Sequence, residues 1–419
     1  MPPALNLAAV LRRAVSAPHE ALARLARAFQ TSIPDLREAE ESALSASQAH
    51  ERIANEVTTA LLDGAPLHVG SADNRADWNG HPLAILVGLD RYLVRRYAAT
   101  GDAPPARVTI DGVGFHVHRR RLARGPAVRH RRQTGHLQRW LEHHWVLPVE
   151  AYGLEIRIVP ASRVITKRCE ALLHDGEVRL FVGSFADGVT PIWNGDATVR
   201  ATGLSDEPQR WAAIERHFET AREARANIVV LPELTVTPKL RDRIVERLAR
   251  DEMEDLALVV PGSFHFEAGG ERFNEAVLLD GSGEVLTSHR KILATSFFDL
   301  PEDIRPGRTI DLLDTPLGLV GIPICLDFCE EGTPIAQLWQ EIGAEVLLVP
   351  ALGPHSSLSA HSRRAETLVR SHGGISVVAN QPLILTEPAP GFILCSNGDR
   401  FQLDGTGQCF AVVLPTELA

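Results

Sequence analysis

The chain has 419 residues, 44% of them hydrophobic and 23% charged, with a formal net charge of −10. That composition belongs to globular proteins with enough chain for two domains, and it excludes a disordered, collagen-like or membrane-embedded class. No apolar run approaches the roughly 20 residues that span a bilayer, and the first arginines follow the short apolar stretch of MPPALNLAAVLRRAV, the reverse of a secretory signal, so a cytoplasmic protein without a membrane partner is expected.

Five cysteines (Cys169, Cys325, Cys329, Cys395 and Cys409) are too few and too scattered for a disulfide framework. Of the 43 basic residues only Lys167, Lys239 and Lys291 are lysines. Charge is also uneven: residues 1–177 carry 23 basic and 19 acidic side chains, and 178–419 carry 20 and 34. The shift marks an expected boundary between an N-terminal region, 1–177, and a C-terminal domain, 178–419.

In chain order, LAAVLRRAV, HEALARLARAF and HERIANEVTTALL space their apolar residues as amphipathic helices do, which predicts two or three helices before residue 62. HPLAILVGLDRYLVRRYAA reads as another helix, and RVTIDGVGFHVHRR as a hairpin turning at Asp111 and Gly112. A further strand is expected at 154–161. The N-terminal region is therefore α+β. Its segment 115–145 holds eight arginines, six histidines and one acid, Glu142, with Trp140 and Trp145 nearby. Arginines interleaved with aromatics suit phosphate neutralisation and base stacking, so Arg119 to Arg132 form a candidate nucleic-acid surface. A solvated face, or a surface that docks the acidic C-terminal domain or a partner, is the plainer reading, and surface histidines are a plainer reading of its HVH and HH pairs than metal ligands.

After residue 178 near-continuous apolar strands alternate with helices. Strands are predicted at 178–185, 227–234, 256–264, 276–280, 319–327, 345–352 and 374–380, and helices at 206–225, 237–251, 333–343 and 361–373. Strands apolar on both faces need cover on both sides, so this half is a layered α/β domain.

Three chemistry-bearing residues lie at strand ends: Glu233 in VVLPEL, Lys291 in SHRK and Cys325 in GIPICLD. Alone, each has a bland reading, as a cap, a solvated cation and a small buried hydrophobe. A chain that uses arginine almost everywhere gives a retained lysine more weight, since a compact ammonium suits one developing oxyanion. Together with PGSFHFEAGGERFNEAVLLDGSGEVLTSHRK, GAEVLLVPAL and RAETLVRSHGGISVVAN, these segments resemble, in order, the carbon-nitrogen hydrolase (nitrilase) superfamily.

The resemblance implies an α-β-β-α sandwich with Glu233 as general base, Lys291 as oxyanion stabiliser, Cys325 as nucleophile and Glu302, shortly before Pro306 and Gly307, as a second glutamate beside the alternatives Asp299 and Asp303. It also implies a small-molecule amide or nitrile substrate, a homodimer or larger homo-oligomer, and no metal or cofactor. The chemistry is coherent in itself. A carboxylate in a closed site accepts the thiol proton, and the ammonium and the backbone N–H after Cys325 stabilise the charge formed on attack, each such donor being worth roughly 3–4 kcal/mol of barrier. Acyl or amide-nitrogen transfer is the alternative within enzymes. A regulated effector that binds nucleic acid or a protein through residues 1–177 is the alternative outside them. The run Leu326, Asp327, Phe328, Cys329, Glu330, Glu331 keeps the aspartate that the resemblance leads one to expect and departs elsewhere, so the substrate does not carry over.

Overall fold

Proline and glycine punctuate this chain, and several of its elements begin or end on them, among them Pro18–Gln30, Pro238–Arg250 and Gly318–Gly321. The structure, a computed structural model, describes residues 7–30, 33–45, 47–63, 81–98, 106–120, 136–250, 253–382 and 391–414. Contacts divide it into two units, essentially Met1–Ala151 and Tyr152–Glu417.

The first unit holds four helices before residue 63, Leu7–Ser16, Pro18–Gln30, Ile33–Ser45 and Ser47–Leu62, where two or three were expected. Pro18 lacks an N–H and starts a new helix, which separates the first two. The third is rich in acids and small residues and so left little apolar periodicity to read. The helix Pro82–Ala98 packs its apolar face into the same core, with Leu86, Val87 and Leu93 fully buried. The hairpin joins Ala106–Ile110 to Val113–Arg119, with Asp111 and Gly112 both at positive φ (46° and 82°), the conformation a two-residue turn needs.

The second strand of that hairpin also pairs with His144–Pro148. In this unit Trp140 donates to Glu40 at 2.9 Å, and Trp145 lies 4.5 Å under the buried Arg120 guanidinium. Both indoles are core, 3% and 1% exposed, so the aromatics of the basic run are not available as stacking platforms. Residues 121–135, which hold most of the Arg119 to Arg132 expectation, lie outside the described residues.

The second unit is a sandwich of two sheets. One has the order Ser263–Ala268, Glu271–Asp280, Leu258–Val260, Ile228–Val230, Glu177–Gly183, Gly407–Val413, with Val285–Arg290 also on Glu271–Asp280. The other runs Arg400–Gln402, Gly391–Leu394, Ile375–Gln381, Val346–Leu352, Gly318–Gly321, Thr309–Thr315, Leu154–Pro160. Strand Ile375–Gln381 of the second lies against Glu177–Gly183 of the first. Helices Glu207–Glu223 and Pro238–Arg250 bury Ile214, Phe218, Leu240 and Ile244 against the first sheet. Helix His355–His372 packs on the second. The helix–sheet–sheet–helix layering is the expected α-β-β-α fold.

Strand Leu154–Pro160 pairs in parallel with Thr309–Thr315 and belongs to this unit with helix Arg163–Asp175, so 152–177, which the charge shift assigned to the N-terminal region, sits in the sandwich. Runs read as single strands are broken where the site is built. The run 256–264 splits at Gly262, whose φ of +83° turns the chain, and a Cβ there would lie 2.3 Å from the carbonyl oxygen of Pro232. Strand 319–327 ends at Gly321, and Cys325 precedes the short helix Leu326–Cys329.

Gly262→Ala is expected to cost about 1–3 kcal/mol in chemical denaturation, because a Cβ there meets a backbone atom at strained φ. Gly405→Ala, where a Cβ meets nothing within 4 Å, is expected to cost nothing.

Candidate active site

Strand Val346–Leu352 is the template on which the site is assembled. Its pairing with Gly318–Gly321 ends at Leu347, which leaves later carbonyls on that side free. The carbonyl of Pro350 accepts the Cys325 N–H at 3.0 Å, and that of the next residue, Ala351, accepts the Glu233 N–H at 3.3 Å. The nucleophile candidate of one sheet and the carboxylate of the other are thus pinned to adjacent residues. The Cys325 Sγ itself lies 3.7 Å from the carbonyl of Leu352. Cys325 has φ 45° and ψ −105°, a conformation that L residues avoid and that the surrounding hydrogen bonds impose.

Lys291, one residue past strand Val285–Arg290, is fully buried and held by its own backbone: its N–H donates to Asn274 O, and its carbonyl accepts from Gly307. Its ammonium donates to Glu233 Oε1 and Glu302 Oε2, both at 2.8 Å. Lys167 and Lys239 are exposed, so the lysine singled out by composition is the buried one of the three. Burial alone would pull the Lys291 ammonium down; Glu233, then Glu302, hold it well above the ordinary lysine value.

Glu302 is one of the four residues the resemblance singled out, and the structure brings it to the other three; Asp299 and Asp303 stay outside the cluster, the latter paired with Arg272. Burial raises the Glu302 carboxyl, but the Lys291 charge and the His265 hydrogen bond outweigh it and lower it to about 2. The Cys325 thiol is pushed up by burial and, next, by the negative charge of Glu233, with Lys291 opposing. The resting site therefore holds a neutral thiol, an ammonium and the Glu302 carboxylate.

Several contributors were not anticipated. Asn274, fully buried, donates Nδ2 to Glu233 Oε1 at 2.9 Å and to Glu302 Oε1 at 3.0 Å. An asparagine inside an apolar strand was the available signal, since strands disfavour it. His265 meets Glu302 Oε1 at 2.8 Å, and the Thr295 N–H donates to its Oε2 at 3.0 Å. Asp327 accepts from the backbone of Ile292 and Leu293 at 2.8–3.1 Å and meets His289 Nε2 at 2.8 Å, tying the loop after Lys291 to the helix after Cys325. Cys329 is buried against His361 in helix His355–His372.

The two carboxylates end up unlike each other. Both oxygens of Glu302 are filled, by four donors. Glu233 has one filled oxygen, and its Oε2 is buried with no hydrogen-bond partner among the described residues.

The carbon-nitrogen hydrolase family model matches residues 197–367, the span that includes Glu233, Lys291, Glu302 and Cys325. The C-terminal part of this chain is thus similar to carbon-nitrogen hydrolase domains. An omega-amidase of Xenopus tropicalis is 29% identical over 165 residues, 34% of this chain and 58% of the relative. One of Mus musculus is 28% identical over 166 residues, 35% of this chain and 58% of the relative. The chain thus spans a little over half the length of the curated relatives it matches. Among solved structures, an amidase from Nesterenkonia sp. is similar at TM-score 0.44 and 19% identity, over 57% of this chain and 90% of that one. A nitrilase-superfamily member from Saccharomyces cerevisiae is similar at TM-score 0.44 and 17% identity, over 58% and 91%. No helix among the described residues is long and apolar enough to cross a membrane.

The pH dependence of stability follows from the signs of these shifts. The depressed Glu302 contributes stability that is present above its ordinary value of 4.5 and lost as pH falls toward 2. The raised Lys291 contributes stability that is fully present below 10.5 and lost only above it. Lys291→Met is expected to lose about 3–5 kcal/mol at pH 7, because two buried carboxylates lose their counter-charge. The deficit should shrink as pH falls below 4.5 toward 2, where the wild type loses the Glu302 contribution; chemical denaturation at each pH reads it.

Proposed function

We propose that this chain hydrolyses a non-peptide carbon–nitrogen bond, that of an amide, through a thioester on Cys325. The asymmetry of the two carboxylates carries this reading: Glu302 is saturated with donors, and Glu233 keeps one buried oxygen open beside a neutral thiol. A carboxylate with an open oxygen is a proton acceptor, and one with none left is a fixed counter-charge.

In this mechanism Glu233 Oε2 takes the Cys325 proton as Sγ attacks the amide carbon, and the C–N bond's carbonyl oxygen takes the negative charge. An ammonium has three N–H donors, and Lys291 spends two on the carboxylates, which leaves one for that oxygen. Glu302 keeps the ammonium charged and aimed. Collapse of the tetrahedral species breaks the C–N bond as Glu233 returns the proton to the leaving nitrogen. Ammonia or an amine departs and the acyl thioester remains. Glu233 then deprotonates water, hydroxide attacks the thioester, and the carboxylic acid leaves as the proton returns to sulfur. The omega-amidase relatives favour an amide over a nitrile as the substrate class.

Incubation with a mixture of short amides and nitriles, followed by intact-mass measurement, tests the reading. The wild type is expected to show an acyl adduct that decays as acid appears, and Cys325→Ala none. Glu233→Gln is expected to slow turnover by about 10²- to 10⁴-fold, the usual worth of a general base. Undiminished turnover by Cys325→Ala would refute the thioester route.

A further inference from the structure

His265 stands in strand Ser263–Ala268, two residues beyond the Ser263 that bridges Glu233, and is 6% exposed. Its two ring nitrogens are committed in opposite senses. The backbone N–H of Ala201 donates to Nδ1 at 2.7 Å, which requires that nitrogen to carry a lone pair. The proton of the neutral ring is therefore on Nε2, which lies 2.8 Å from Glu302 Oε1 and donates to it.

The bond controls orientation. His265 and Asn274 occupy Oε1 of Glu302, so Oε2 must face the Thr295 N–H and the Lys291 ammonium. Without the imidazole, Oε1 keeps only an amide that it shares with Glu233, and the carboxylate gains freedom to rotate about Cγ–Cδ. A rotated Glu302 would draw the ammonium with it, away from the geometry that places the third N–H over the reacting carbon's oxygen.

We infer that His265 is a positioning residue, a neutral Nε2–H donor whose tautomer is set by the Ala201 N–H and which aims Lys291 by fixing the rotation of Glu302. It acts on the site proposed above and rests on that thiol chemistry. It also gives strand Arg200–Leu204, which supplies Ala201, a part in the site: that strand selects the protonation pattern of a side chain that touches the Glu302–Lys291 pair.

A ring that ties two segments together is also a structural brace, so the test separates its two bonds. In His265→Gln the amide N–H reaches the place of Nε2 and can donate to Glu302, but nothing accepts from Ala201. In His265→Asn the side-chain oxygen reaches the place of Nδ1 and can accept from Ala201, but nothing donates to Glu302. The rate of Cys325 alkylation by chloroacetamide is read by intact mass at neutral pH, with Cys325→Ala as the blank and the thermal midpoint of each variant alongside. With an amide that the wild type turns over, kcat and KM are read as well.

His265→Gln is expected within about threefold of wild type, and His265→Asn and His265→Ala slower by roughly tenfold to a hundredfold in alkylation and kcat with KM little changed, the range for a lost charge-assisted bond and a misplaced group. If His265→Ala fails to fold, the Gln and Asn variants still decide, since each keeps one bond. Asn equal to or faster than Gln, or Gln as slow as Ala, overturns the inference and leaves a brace. A wild type that is not labelled overturns the thiol chemistry itself, and this inference with it.

Discussion

One buried ammonium between two buried carboxylates is the constraint from which the rest of this site follows. Lys291, Glu233 and Glu302 lie together at 0–4% exposure, and isolated charges in such surroundings cost several kcal/mol each unless they are paired and hydrogen-bonded. The structure answers with donors: Asn274 to both carboxylates, and the His265 ring and Thr295 N–H to Glu302. Every one of them is spent on the anions, and the one oxygen left over belongs to the glutamate beside the thiol. In the proposed mechanism that unsatisfied oxygen is the one that takes the thiol proton.

Backbone bonds bring these groups together across two sheets. Consecutive carbonyls of strand Val346–Leu352 hold the N–H groups of Cys325 and Glu233. Asp327 fastens the loop after Lys291 to the helix after Cys325. Because the sites of attachment are main-chain groups, the geometry depends on the sandwich as a whole. Close approaches such as Gly262 against Pro232 O, where no side chain fits, belong to the same requirement. The left-handed φ of Cys325 is the local cost of turning a strand into a helix at that point.

The layered α/β fold was legible because period and apolarity are local properties: residues 228–230, 346–352 and 375–380 read as buried strands and are so. The broken segments were not, since the break at Gly262 and the end of the strand at Gly321 depend on which carbonyl lies opposite. Strand Thr309–Thr315 carries Asp311 and Asp314 in its middle and gave no apolar run to read; Asp311 is satisfied there by Arg157 from the neighbouring strand Leu154–Pro160. That same pairing draws 152–177 into the sandwich, where net charge had pointed to the N-terminal region. In the basic run, Trp140 and Trp145 had looked like surface aromatics. Burial is a property of neighbours, and Glu40 and Arg120 make them core.

By itself the sequence determined the residue types available for the chemistry: a cysteine, a rare lysine and a glutamate at predicted strand ends, in an order that resembles carbon-nitrogen hydrolases, and a second glutamate, Glu302, that this resemblance implies. Only the tertiary structure decided how those four are brought together and hydrogen-bonded. Two glutamates are chemically identical in a sequence, and they become a saturated counter-charge and an open acceptor through the number of donors that distant segments bring to each. His265 and Asn274 enter for the same reason: hydrogen-bond saturation is counted in space, and residues separated by dozens of positions supply it.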